Sequence, residues 1–136
     1  MKYEAVIPKT KDQVESAITG DDPEELCHAV LSAALHSKDP LWAESICLQL
    51  AQHPHENIRG NAILGLGHIA RIHRHLNSNK IKPLIETALK DESDYVRGQA
   101  KSAADDAELF LKWSIARPYV AFDNGAANRR LQRTRR

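Results

Sequence analysis

Only seven of the 136 side chains are aromatic, two Trp, three Tyr and two Phe. The cores of β-sandwiches and barrels draw on aromatic and β-branched residues, so this scarcity, with alanine and leucine prominent, favours helices packed at close range. Cys27 and Cys47 are too few to build a disulfide framework. Both fall inside apolar helical patterns and read as reduced, small core residues. No apolar run approaches the roughly 18 residues of a membrane-spanning helix, and the charged start MKYEAVIPKTKDQ lacks the apolar stretch of a secretory leader. The expectation is a cytoplasmic protein with no membrane partner. Hydrophobic residues still make up 42% of the chain, enough for one core in a chain too short for two comfortable domains.

The net charge of +1 conceals a strong segregation. Residues 1–56 carry ten acids against four bases, residues 57–90 six bases against one acid, residues 91–117 six acids against four bases, and residues 118–136 five arginines against one aspartate. The chain therefore offers an acidic N-terminal part, a basic central block and a basic end.

Helix starts are legible. TKDQ at 10–13 has the form of a capping box, with Thr10 as cap and Gln13 reaching back. Asp22-Pro23 and Asp39-Pro40 each place a capping aspartate before a proline at the first helical position. Pro54 breaks the pattern, and the next helix runs from near Glu56 to about Leu76; Asn77–Asn79 form a further break before KIKPLIETALK, with Pro83 in the first turn. Ser93 caps a helix from about Asp94 to Ser114. Six helices and no strand are expected.

These helices pair. HENIRGNA at 55–62 and SDYVRGQA at 93–100 align at an offset of 38 residues, and ICLQL at 46–50 then falls over LIETA at 84–88. Two helices per period of this length are the mark of an α-solenoid, and an earlier pair at 10–19 and 23–36 makes a third, more degenerate unit. In the middle pair, Ile58, Arg59, Ala62, Leu66, Gly67 and Ile69 resemble the second helix of a HEAT repeat, V-R-x-x-A-x-x-x-L-G-x-I. Val96, Arg97 and Ala100 match its start, after which Ala104 and Asp105 stand in place of the usual Leu and Gly. The resemblance covers residues 40–115. It implies an all-α fold, a short right-handed α-solenoid of about three HEAT-like hairpins, with residues 1–117 as the domain and 118–136 as a basic tail. It also implies that Arg59 and Arg97 pair with an acid from an adjacent unit.

Gly60, Gly65 and Gly67 in one helix lose about 1 kcal/mol each relative to alanine. At about 100° per residue, Ile58, Ala62, Gly65, Leu66, Ile69, Ile72, His73 and Leu76 form one broad packed face, where Gly65 admits a neighbour; Gly67 serves a second face. Gly60 and Gly98 share a repeat position whose purpose the sequence does not explain. Trp42 is expected in the core.

Neither a metal site nor a catalytic site emerges. His68 and His75 lie two turns apart, about 10 Å along the axis, too far for one ion whose ligands sit within about 2.3 Å. His53 and His55 flank Pro54 and read as solvated turn residues. There is no serine elbow, phosphate-binding glycine loop or H-E-x-x-H, so no cofactor, no metal and no catalytic residue is expected. Asp106 with Trp113 is the one pair worth weighing for the HEAT-like DNA glycosylases, which use Asp, Trp and Arg.

A recognition surface is the better expectation. In HEAT arrays the second helices line the concave side, which by resemblance sets Asn61 beside Gln99, His68 beside Asp106, Arg71 beside Leu109 and His75 beside Trp113. Asn61, His68, Arg71, His75, Gln99, Asp106 and Trp113 form this ridge, and arginine and aromatic side chains are strong anchors. Glu15, Asp21, Asp22, Glu24, Glu25 and Glu44 supply an alternative, acidic face. YEAVIP and RGNAILGLGHIARIHRHL make the chain similar to small bacterial HEAT-like immunity proteins of contact-dependent toxin systems. That resemblance implies a protein partner, a toxin nuclease domain, approached by opposite-charge steering. The alternatives are a nucleic-acid-binding HEAT-like protein using the basic block and arginine tail, whose affinity would fall steeply with salt, and a HEAT-like enzyme of the glycosylase or bilin lyase type.

Overall fold

The computed structural model describes residues 6–118. The expected arginine tail lies outside the described residues. Those described fold into six helices with no strand: α1 (Lys11–Gly20), α2 (Pro23–His36), α3 (Pro40–Leu50), α4 (Glu56–His73), α5 (Ser78–Ala88) and α6 (Asp94–Leu111). The fold is all-α.

Local chemistry sets the starts. Thr10 and Gln13 form the capping box of α1, and the side chains of Asp22, Asp39, Asn77 and Ser93 each accept the N–H three residues on. The bounds of α3 and α5, and of α4 and α6, are displaced by the same 38 residues as the sequence repeat.

Three boundaries differ from the sequence expectation. Helix α4 stops at His73 because Arg74 turns left-handed (φ 59°), and α6 stops at Leu111 because Lys112 does the same (φ 62°). Helix α5 starts at Ser78, which puts Pro83 in its second turn rather than its first. The Asn77 side chain holds that earlier start, and the carbonyl left without a proline N–H belongs to exposed Asn79, where water can serve it.

Helix α4 is central. It packs on α2 and on α6, which make no comparable contact with each other, while α1, α3 and α5 pack on α2, α4 and α6 respectively. The core runs through this arrangement, with Val14, Leu26 and Val30 at one end, Ile58, Ile63, Leu66 and Ile69 in the middle and Ile81, Ile85 and Val96 at the other. Ile72, expected on the packed face, is 41% exposed, because it sits at that face's edge in the last turn of α4. Trp42 is half-buried rather than enclosed; its indole N–H donates to Glu15 at 3.3 Å, and Lys11 lies over its ring.

The glycines of α4 are accounted for by packing. A Cβ on Gly65 would come 2.9 Å from Cys47 Sγ and 3.1 Å from Ala34 Cβ; on Gly67, 3.0 Å from Ala103 Cα and from Asp106 Oδ2. Gly65 thus brings α4 onto α2 and α3, and Gly67 brings it onto α6. Asp105 occupies the position equivalent to Gly67 on α6, where no further helix packs among the described residues; it is exposed, and its carboxylate accepts from Arg117 at 3.0 Å. A glycine serves in α4, where a neighbouring helix packs closely, and is not called for at this exposed position of α6.

Candidate partner-binding surface

The units are tied together by polar side chains. Arg59 of α4 donates from Nε and Nη2 to the two oxygens of Asp91, both at 2.9 Å, and from Nη1 to the His53 and Pro54 carbonyls. This guanidinium beside Asp91 holds its carboxyl below the ordinary value, and Asp91 in turn raises Arg59. Arg97, at the equivalent position, has no acid from another unit among the described residues; it pairs with Asp94 of its own helix and donates to the Asp91 carbonyl. Arg59 is thus fully engaged in the interior, whereas Arg97 is 37% exposed at the surface.

Asn61 is 7% exposed. Its amide donates to the Cys27 carbonyl of α2 at 3.4 Å, and its oxygen accepts from Tyr95 of α6. Asn61 therefore joins three helices and presents nothing outward. Gln99 is half-buried beside Gly60, its Cγ 3.4 Å from where a Cβ would stand.

The remaining ridge residues divide into a cluster and outliers. His68 is half-buried, and Arg71, one turn on, donates to its Nδ1 at 3.1 Å. Accepting at Nδ1 leaves the ring proton on Nε2 and the ring neutral, and burial, then the Arg71 charge, push His68 down. Asp106 is half-buried against Gly67, and burial is the main cause raising its carboxyl, with Arg71 opposing and Asp105 reinforcing. His68, Arg71 and Asp106 thus share one region across α4 and α6. His75 is exposed in the turn after α4, and Trp113 is half-buried against the core.

Two surface features were invisible in the sequence. Arg74 lies over the Phe110 ring, 4.7 Å from its centroid, a pairing across α4 and α6 that no spacing rule connects. His53 and His55, expected to be solvated, are half-buried and bonded: the His55 N–H donates to His53 Nδ1 at 3.0 Å, His53 Nε2 meets Asp21 at 3.0 Å, and His55 Nδ1 accepts the Asn57 N–H as the cap of α4.

The acidic face is reduced by one. Glu15, Asp21, Asp22, Glu24 and Glu25 are exposed around α1 and the start of α2, though Asp22 serves as cap and Asp21 faces His53. Glu44 is 7% exposed and accepts the Asn77 N–H at 3.0 Å, so it is an internal support of the α4–α5 turn.

Among the described residues no group of His, Cys, Asp or Glu is placed to hold a metal ion, and no helix is long and apolar enough to cross a membrane.

The sequence matches no protein-family model and no curated protein. Among solved structures, the chain is similar to one chain of a CDI complex from Cupriavidus taiwanensis LMG 19424, at 23% identity and a TM-score of 0.72, over 81% of this chain and 97% of that one. The likeness is one of fold.

Proposed function

We propose that this chain is a non-catalytic protein-binding module of HEAT-like stacked hairpins that acts as an immunity protein, binding and neutralising the toxin domain of a contact-dependent bacterial system. The observation that carries the reading is the likeness to a chain that exists within a CDI complex and is covered over 97% of its length. The interior supports it: helices crossed by Arg59–Asp91 and by the Cys27–Asn61–Tyr95 chain form a connected platform, and a preorganised surface loses little freedom on binding.

The alternative, a nucleic-acid partner, would draw on the central basic block. There Arg59 is taken by Asp91, while Arg71, Arg74, Lys80, Lys82 and Lys90 form no salt bridge among the described residues. This reading predicts binding that falls steeply with salt.

Co-expression with a candidate toxin domain of a contact-dependent system from the same genome tests the proposal. Cells that carry both should grow like cells carrying neither, and the two chains should co-purify one to one at high salt. Growth arrest despite soluble protein, or recovery of nucleic acid alone, contradicts it.

A further inference from the structure

Six carboxylates among the described residues are buried or half-buried: Asp39, Glu44, Glu86, Asp91, Asp106 and Glu108. Five have a donor. Asp39 accepts from Lys11, Glu44 from the Asn77 N–H, Glu86 from the Ala116 N–H, Asp91 from Arg59, and Glu108 from Arg117. Asp106 has none among the described residues. Half-buried charges without a partner are uncommon because desolvation is then uncompensated.

The nearest cation does not fill the role. Arg71 is close enough to influence Asp106, yet its Nη2 is directed to His68 Nδ1 and forms no ion pair with Asp106 within 4.0 Å. Asp105, the neighbouring acid, is taken by Arg117. The carboxylate is seated against the α4 backbone at Gly67, where a side chain would come within 3.0 Å of it. One turn along α6, Leu109 is 61% exposed. An unpaired carboxylate and an apolar residue at i and i+3 share one helix face and match a side chain with an aliphatic stem and a cationic head.

We infer that Asp106, with Leu109 beside it, is the anchoring point for an arginine side chain presented by a protein partner: the guanidinium meets the Asp106 carboxylate and its methylene stem lies on Leu109. The inference rests on the reading that the chain binds a protein, and it adds which residues receive which group. Arginine is favoured because its planar fork offers two N–H groups to the two oxygens of one carboxylate. Burial disfavours the charged form of Asp106, which has no donor among the described residues, and a guanidinium from a partner would relieve that cost.

The test uses the full chain and N-acetyl-arginine methylamide, followed by amide NMR, with N-acetyl-norleucine methylamide as the uncharged control. Saturable shifts at the amides of Gly67, Asp106 and Leu109 are expected with the arginine probe, with affinity at least tenfold weaker in Asp106→Asn and in the norleucine control. Asp106→Asn should also melt at a temperature equal to or above that of the parent, whereas a carboxylate with a structural role would lower it. Absence of saturable shifts, equal shifts in Asp106→Asn, or a lowered melting temperature overturns the inference. Toxin neutralisation undiminished in Asp106→Asn would also overturn it while leaving the proposed function intact. Arginine binding without any toxin interaction would do the reverse.

Discussion

The Tyr95 ring lies against the backbone of Gly60, so close that a Cβ there would stand 2.7 Å from two ring carbons, while the Tyr95 hydroxyl donates to Asn61. At Gly98, one repeat later, nothing among the described residues lies within 4 Å of where a Cβ would stand. The same sequence position is therefore a receptor for an aromatic ring in one unit and an unfilled slot in the next. Alanine should act with opposite signs at the two. Gly98→Ala should stabilise by about 1 kcal/mol through helix propensity alone, and Gly60→Ala should destabilise by about 1–3 kcal/mol through overpacking. Urea denaturation of both variants reads the difference directly.

The bidentate Arg59–Asp91 pair, 18% and 17% exposed, ties the second hairpin to the third. Arg59→Met should lower stability at neutral pH by about 2 kcal/mol, since it strands Asp91 and frees two carbonyls. Because Arg59 depresses the folded-state carboxyl of Asp91 below its ordinary 3.8, this contribution is present above about pH 4 and fades as pH falls through the depressed value. The gap between parent and Arg59→Met should narrow in acid. Melting temperatures from pH 7 down to pH 3 check this; a constant gap would show that the pair contributes by packing and not by charge.

Burial pushes the Cys47 thiol up to about 12, and burial, then Glu24, raises half-buried Cys27. Thiolate is the reactive species, so neither cysteine should alkylate readily in the native protein at pH 8, with Cys47 the slower. Iodoacetamide labelling followed by mass spectrometry should give full modification of both only in denaturant. Rapid native labelling of Cys47 would mean that the α3–α4 contact at Gly65 opens.

What could be read from the sequence was the chemistry that acts over three or four residues and the periodicity that repeats it. Thr10, Asp22, Asp39 and Ser93 announced their helices because a capping side chain needs only its own N3 amide, and Arg59 with Arg97 announced the repeat. Helix ends were less visible. Asp21, Arg74 and Lys112 all adopt left-handed conformations without the glycine that normally signals one. The candidate surface was least legible, because polarity alone does not distinguish an inward from an outward role. Asn61 and Glu44 are polar and enclosed, satisfied by Cys27, Tyr95 and Asn77 from elsewhere in the chain. Whether Arg71 bonds to His68 on its own helix or to Asp106 on α6 is decided by side-chain geometry that no offset of 38 residues encodes.

Leu109 and the Arg74–Phe110 stack sit on the same part of α6 as Asp106. If partner contact is centred there, Leu109→Asp should weaken binding at least tenfold with little change in stability, since an exposed side chain is replaced. Glu24→Lys on the acidic face, by contrast, should change chiefly the association rate and its salt dependence. Surface plasmon resonance at two salt concentrations separates the two effects.

Titration calorimetry of the full chain with a purified candidate toxin domain of a contact-dependent system from the same genome tests the central claim most directly. A one-to-one complex with a dissociation constant of about 100 nM or tighter, retained at 0.5 M salt (about 4 Å Debye length) and weakened by Asp106→Asn, is the predicted result. No heat of binding from two folded partners, or binding abolished by salt in proportion to added nucleic acid, would contradict it.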